Sequence, residues 1–183
     1  MPAYGDTTSK TSERGHIVGL RHDDRDGLVT PVPLILHRDN AAKVHTGTTA
    51  ETVIAQAVIP GGLIGRNGRV KIEALWNYSN NANAKTLKAK FGGVTVAQLG
   101  ATTTNSTRWS VSVCNAGSED EQVMPSPGVN IATTDGGSTA TDNTSGAVDT
   151  SADVVVSLTV ALASAADTVR LQAWGVVVEP FHD

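Results

Sequence analysis

The chain has 183 residues, 39% of them hydrophobic, only 17% charged and 4% aromatic, with a net charge of −4. That length fits one domain with or without an arm, and the many small apolar residues suffice for a core. The mild negative charge argues against a nucleic-acid partner, and a single cysteine, Cys114, excludes an internal disulfide or a zinc site built on several thiolates.

No apolar stretch near the N-terminus resembles a secretory leader, and no run reaches the length of a membrane span. The sequence therefore predicts synthesis in the cytoplasm and no membrane partner. Residues 1–27 mix Arg14, Arg21 and Arg25 with Asp6, Glu13 and Asp23, without strand or helix period, which predicts an extended arm. His16, His22 and Asp24 lie in it, but their spacing follows no metal-ligand pattern and reads as solvated surface. Residues 28–36 (LVTPVPLIL) turn apolar. Pro31 and Pro33 cannot donate to a ladder, so an edge or bulged strand is expected. Arm and edge strand are assigned residues 1–44, and a sandwich domain residues 45–183.

Residues 51–59 (ETVIAQAVI) are apolar on both faces, which predicts a well-covered strand. Gly61, Gly62, Gly65 and Gly68 follow. A phosphate-binding loop would open a helix, whereas a strand comes next, so this is a cluster of turns. Residues 65–91 read as a tight turn, a long strand, an Asn-rich loop and a second strand. Val70, Ile72, Ala74, Trp76 and Tyr78 alternate with Arg69, Lys71, Glu73, Leu75 and Asn77, and Leu87, Ala89 and Phe91 alternate with Lys88 and Lys90. Period two marks strands with one buried face.

Gly92-Gly93 predicts a hairpin turn into residues 94–99. Residues 107–114 alternate again, Trp109, Val111 and Val113 against Arg108, Ser110, Ser112 and Cys114; Cys114 has no histidine base nearby and reads as structural. Residues 115–152 are irregular, with short strands expected at 121–124, 129–133 and near 139–148. The spacing DGGSTATDN lacks a compact calcium pattern and reads as a solvated loop. Residues 153–162 carry an apolar face of Val154, Val156, Leu158, Val160 and Leu162. In residues 168–179, Val169, Leu171 and Ala173 oppose Arg170, Gln172 and Trp174, with Gly175 as a candidate bulge. The last two strands are expected to pair near the centre of the fold.

Roughly eight strands at short spacing and no helix predict an all-β fold: a two-sheet, jelly-roll-like β-sandwich with an extended N-terminal arm. The expected core is Val70, Ile72, Ala74, Trp76, Tyr78, Leu87, Phe91, Trp109, Val111, Val154, Val156, Leu158, Val160 and Leu171. No histidine lies between residues 46 and 181, and no paired carboxylates face an aromatic cleft, so no enzyme activity, catalytic residue, cofactor or metal is expected. Charge is unevenly placed. Residues 46–114 carry seven Lys or Arg and two acids; residues 115–152 carry six acids and no base. Surfaces of opposite sign suit self-association or docking onto a charged scaffold, although the acidic stretch folding over its own basic strands accounts for the pattern equally. The candidate interface is Arg14, Arg21 and Arg25 of the arm with a basic outer face of Arg69, Lys71, Lys88 and Lys90.

The string IPGGLIGRNGRVKIEALWNYSNNANAKTLKAKFGGVTV resembles a recurrent segment of tailed-bacteriophage structural proteins: a Gly turn, a Leu-Trp strand, an Asn-rich loop with Lys-Thr-Leu, then Phe-Gly-Gly. HTGTTAETVIAQAVIP before it and VDTSADVVVSLTVALASAADTVRLQAWGVVVE after it extend the resemblance over roughly residues 45–179. It implies a β-sandwich or jelly-roll module on the virion, assembled in the host cytoplasm. The expected partners are the major capsid protein or other virion proteins and further copies of the chain. The role implied first is capsid decoration (a cement protein); the alternative is a short tail, neck or fibre-base protein docking through its arm and binding a host surface. A lectin or small carbohydrate-active enzyme is the reading from another class.

Overall fold

The computed structural model describes residues 20–22, 29–125 and 143–181. Among them run thirteen strands and no helix. Two short strands, β1 (Leu20–His22) and β2 (Val29–Pro31), pair only with each other. Then come β3 (Leu34–Asp39), β4 (Lys43–His45), β5 (Thr52–Ile59), β6 (Arg69–Tyr78), β7 (Lys85–Phe91), β8 (Val94–Ala101) and β9 (Ser106–Asn115). Two three-residue strands, β10 (Gln122–Met124) and β11 (Thr144–Gly146), precede the long β12 (Val154–Leu162) and β13 (Val169–Glu179).

The antiparallel pairings nest inside one another. β7 pairs with β8, β6 with β9, β5 with β12, and β3 and β4 with β13. The chain is therefore one long two-stranded ribbon, and Gly92-Gly93 forms its tip. Both glycines have positive φ, 55° and 84°, the geometry that a two-residue turn needs to follow the twist of its strands. Rolled up, the ribbon lays β6 beside β13 and β7 beside β12. One sheet then has seven strands, ordered β11-β10-β9-β6-β13-β3 with β4 also on β13, and the other has four, ordered β5-β12-β7-β8. This is the jelly roll, in which consecutive strands mostly cross from sheet to sheet.

The core fills the space between the sheets. β6 buries Val70, Ile72, Ala74, Trp76 and Tyr78; β7 buries Leu87, Ala89 and Phe91; β9 buries Trp109, Val111 and Val113. β12 contributes Val154, Val156, Leu158, Val160 and Leu162, and β13 contributes Val169, Leu171, Trp174, Val176 and Val178. Trp76 and Trp109 pack as a tilted pair with centroids 5.4 Å apart, a favoured aromatic arrangement. With Trp174 also buried, all three tryptophans belong to the interior rather than to an exposed sugar platform.

Several local expectations are corrected by the long-range pairing. β12 and β13 do not pair: each is central in its own sheet, because successive ribbon strands face one another across the core. For the same reason β6 and β7 lie in different sheets, and the Asn-rich connection between them crosses the sandwich. β5 is an edge strand, with Val53 and Val58 exposed rather than covered. β3 is an edge strand with a register shift against β13, as expected for the proline-bearing stretch near it, and because β3 and β4 are both hydrogen-bonded to β13 the large sheet extends N-terminal to residue 45. On β13 the alternation slips. A register shift against β6 between Leu171 and Ala173 moves Trp174 to the buried face, and a second shift against β3 lies between Val176 and Val177. Of the short strands expected in 115–152, β10 and β11 are present and 129–133 lies outside the described residues.

A candidate docking trough on the outer face of the large sheet

The register shifts on β13 shape the outer surface of the seven-stranded sheet. Ala173, Gly175 and Val177 occupy its outward positions, and Gly175 carries no side chain; a Cβ there would stand 3.1 Å from the His37 carbonyl oxygen. Small residues along a central strand leave a furrow between larger neighbours. Leu75 and Glu73 of β6 and Arg108 of β9 form one wall, Ile35 and Arg38 of β3 the other. The result is a trough of about 310 Å³.

Its lining is unusual for a solvated sheet face. Ile35 is 54% exposed and Leu75 44%. Arg38 and Arg108 form no ion pair among the described residues. Glu73 is held by Lys71 at 3.1 Å, so its charge is already engaged. Beside the trough His37 stacks on Trp174 with centroids 4.2 Å apart, and the Lys43 amino group lies 5.9 Å from the same ring. Asp39, bonded by the Ala41 amide at 2.8 Å and paired with Lys43 at 3.1 Å, has its carboxyl held below the ordinary value, chiefly by the amide. An apolar floor rimmed by guanidinium groups that form no ion pair among the described residues suits a partner carrying carboxylates.

The expected basic face is not one face. Arg69 and Lys71 lie on β6 of the large sheet, whereas Lys88 and Lys90 lie on β7 of the small sheet, on the opposite side of the sandwich. Each has an internal partner. Arg69 donates through Nε to Glu179 at 2.7 Å, and Lys71 meets Glu73. Lys88 meets Oε2 of the Glu51 carboxylate at 2.7 Å and Lys90 meets Oε1 at 2.6 Å, and the Thr159 hydroxyl donates to Oε1 as well, at 2.9 Å. Arg14 and Arg25 lie outside the described residues, and Arg21 lies in β1.

Lys88, Lys90 and then Thr159 hold the Glu51 carboxyl at about 2, below the ordinary 4.5. A depressed folded value means stabilisation that is complete above 4.5 and is lost as pH falls through about 2. The group is a third exposed, so solvent limits the contribution to about 1 kcal/mol. Urea denaturation of wild type and Glu51→Gln is expected to differ by that amount at neutral pH and to converge as pH drops toward 2. A gap that is constant across the acid range would mean that the carboxylate charge is not what stabilises.

A second surface forms where β9, β10 and the start of β12 meet. Asn115 and Gln122 are buried, with Asn115 donating to the Gly65 carbonyl at 2.7 Å and to the Thr150 hydroxyl at 2.8 Å. Gln122 exchanges hydrogen bonds with Val148 at 2.9 and 2.8 Å, and Thr150 donates to the Glu119 carbonyl at 2.7 Å. This satisfied network mounts an acidic lip of Glu119, Asp120, Glu121 and Asp149. Among the described residues none of these four forms an ion pair. The Ser151 hydroxyl and amide hold the Asp149 carboxyl below its ordinary value. The acidic stretch therefore does not neutralise the basic strands of its own domain within the described residues.

Ile35, Arg38, Leu75 and Arg108 were not singled out by sequence pattern as one surface. Two signals were present: Leu75 interrupts the polar phase of β6, and Ala173 and Gly175 place small residues at alternate positions of β13. Among the described residues no cluster of three or more His, Cys, Asp or Glu could hold a metal ion, and Cys114 is a half-buried free thiol. No family model, no curated protein and no solved structure matches the chain.

Proposed function

We propose that the chain is a structural protein of a bacteriophage particle, a decoration protein that binds the assembled head shell and stabilises it. The observation that carries the reading is the jelly roll itself, with a docking trough on its broad outer face. Jelly rolls are a recurrent module of viral shells, and an apolar surface rimmed by unpaired charge is a typical protein-binding surface. The segments that resemble phage structural proteins, roughly 45–179, run from the end of β4 to the end of β13. Lectins use the same fold, but the three tryptophans that would make a sugar platform are buried here.

Densitometry of purified particles tests the placement. A shell-bound decoration protein is expected in numbers comparable to the major capsid protein, and particles lacking it should lose their shells at lower temperature. A copy number matching one ring or one spike, with heads of normal stability in its absence, would instead favour a tail, neck or fibre-base position.

A further inference from the structure

We infer that the trough on the large sheet receives the acidic lip of a second copy of this chain, so that copies associate head to tail. The inference deepens the reading of the chain as a structural protein by naming the surface through which it assembles.

Three observations support it. The first is charge. Arg38 and Arg108 at the trough, and Asp120, Glu121 and Asp149 at the lip, form no ion pair among the described residues. Arg66 lines the same hollow as Glu119, Asp120 and Asp149 and donates to the Gly117 carbonyl at 3.0 Å, but the lip keeps an excess of acid, so among the described residues one molecule presents two surfaces of opposite sign. The second is distance. Arg108 and Asn115 stand seven positions apart on β9, which is about 24 Å at roughly 3.4 Å per residue. No side chain spans that gap, so the lip cannot fill the trough of its own molecule. The third is rigidity. Asn115, Gln122 and Thr150 fix the lip through hydrogen bonds, and the trough is built on four adjacent strands of one sheet, β9, β6, β13 and β3. Two preformed surfaces lose little freedom on docking.

The contact is heterologous: a different surface is used on each partner, and such contacts close into rings or run on as filaments. Leu75 and Ile35, exposed in the free chain, become covered by the incoming lip. The arginines supply orientation and the apolar floor the burial.

The test uses two charge-reversed variants of the full chain. Arg38→Glu with Arg108→Glu makes the trough acidic. Asp120→Lys with Glu121→Lys makes the lip basic. Both sites are exposed, and thermal melts matching wild type establish that each variant folds. In sedimentation velocity at low salt, wild type is expected to associate and to dissociate as added salt screens the contact. Each variant alone is expected to be monomeric, because its trough and lip carry the same sign. An equimolar mixture is expected to associate again, since each variant then complements the other at both surfaces. A monomeric wild type, a trough variant that assembles as wild type does, or a mixture of folded variants that stays monomeric would each overturn the inference. None of these results bears on copy number in particles, which tests the proposed placement separately.

Discussion

Replacing Asn81 with alanine is expected to lower the unfolding free energy by about 3–5 kcal/mol, the cost of breaking a buried charged network. Lys85 is fully buried at the start of β7. Its amino group donates to the Asn81 side-chain oxygen at 2.7 Å and to the carbonyls of Asn81 and Thr102 at 3.3 Å each. The Asn81 amide nitrogen in turn donates to Asp167 at 2.5 Å. Asp167 is buried, and its second carboxylate oxygen has no partner among the described residues. One side chain thus joins a buried lysine to a buried aspartate and ties the 79–84 crossover to the turn between β12 and β13. Alanine leaves Lys85 with two long backbone contacts and strips the Asp167 side chain of its hydrogen bond. For a chain of this size the midpoint of thermal unfolding should fall by roughly 10 °C.

The double variant Asn81→Asp with Asp167→Asn provides the control. The single change Asn81→Asp puts two carboxylates in contact and is expected to destabilise as strongly as alanine. Adding Asp167→Asn restores one acid, one amide and one lysine in a permuted order and should recover most of the loss. Urea denaturation with an unchanged m value measures both. An Asn81→Ala loss below about 1 kcal/mol, the scale of an exposed pair, would show that the network does not hold the crossover in place.

Gly68→Ala is expected to cost about 3 kcal/mol. The reason is space rather than dihedral freedom: a Cβ at Gly68 would stand 1.9 Å from the Ile64 carbonyl oxygen and 3.0 Å from that of Glu179. Both neighbours are held: the Ile64 carbonyl accepts from the Phe181 amide at 3.0 Å, and Glu179 is paired with Arg69 of β6. The Gly68 carbonyl in turn accepts from the Asn115 amide at 2.9 Å. Opening this turn lifts Asn115, which mounts the acidic lip, so self-association should weaken along with stability. Gly62→Ala serves as the comparison. Its φ is 74° and its surroundings are open, so only the left-handed strain of about 1–2 kcal/mol applies. Equal losses at the two sites would mean that the Gly68 turn yields more readily than its contacts imply.

Much of the fold was readable one strand at a time. The alternation in β6, β7, β9 and β12 placed Val70, Trp76, Phe91, Val111 and Leu158 on inner faces, where they are buried. Lys85 was readable in the same way, since it shares the phase of Leu87, Ala89 and Phe91, yet a lysine at the edge of an Asn-rich loop reads as solvated. β13 shows the opposite failure. Counting by twos from Val169 puts Trp174 outside, and only the shift against β6 turns it inward. That shift comes from pairing with a strand about a hundred positions away in the chain; Gly175 marks the strand as irregular but does not place the shift, which lies between Leu171 and Ala173.

The trough was less legible than the core for the same reason. Its walls come from β3, β6, β9 and β13, which are neighbours only after the ribbon has rolled. Lys88 and Lys90 looked like free surface charge until β12 brought β5 alongside and placed Glu51 between them. The sequence by itself determined the all-β class, the inner faces of β6, β7, β9 and β12, the Gly92-Gly93 tip and the separation of acidic from basic stretches. These depend on side-chain spacing and turn chemistry within a few residues. Tertiary structure alone decided which strands share a sheet, where β13 slips, which charges are neutralised and which stay free. Those outcomes are set by contacts between distant segments, whose register is selected by burial of the whole core at once.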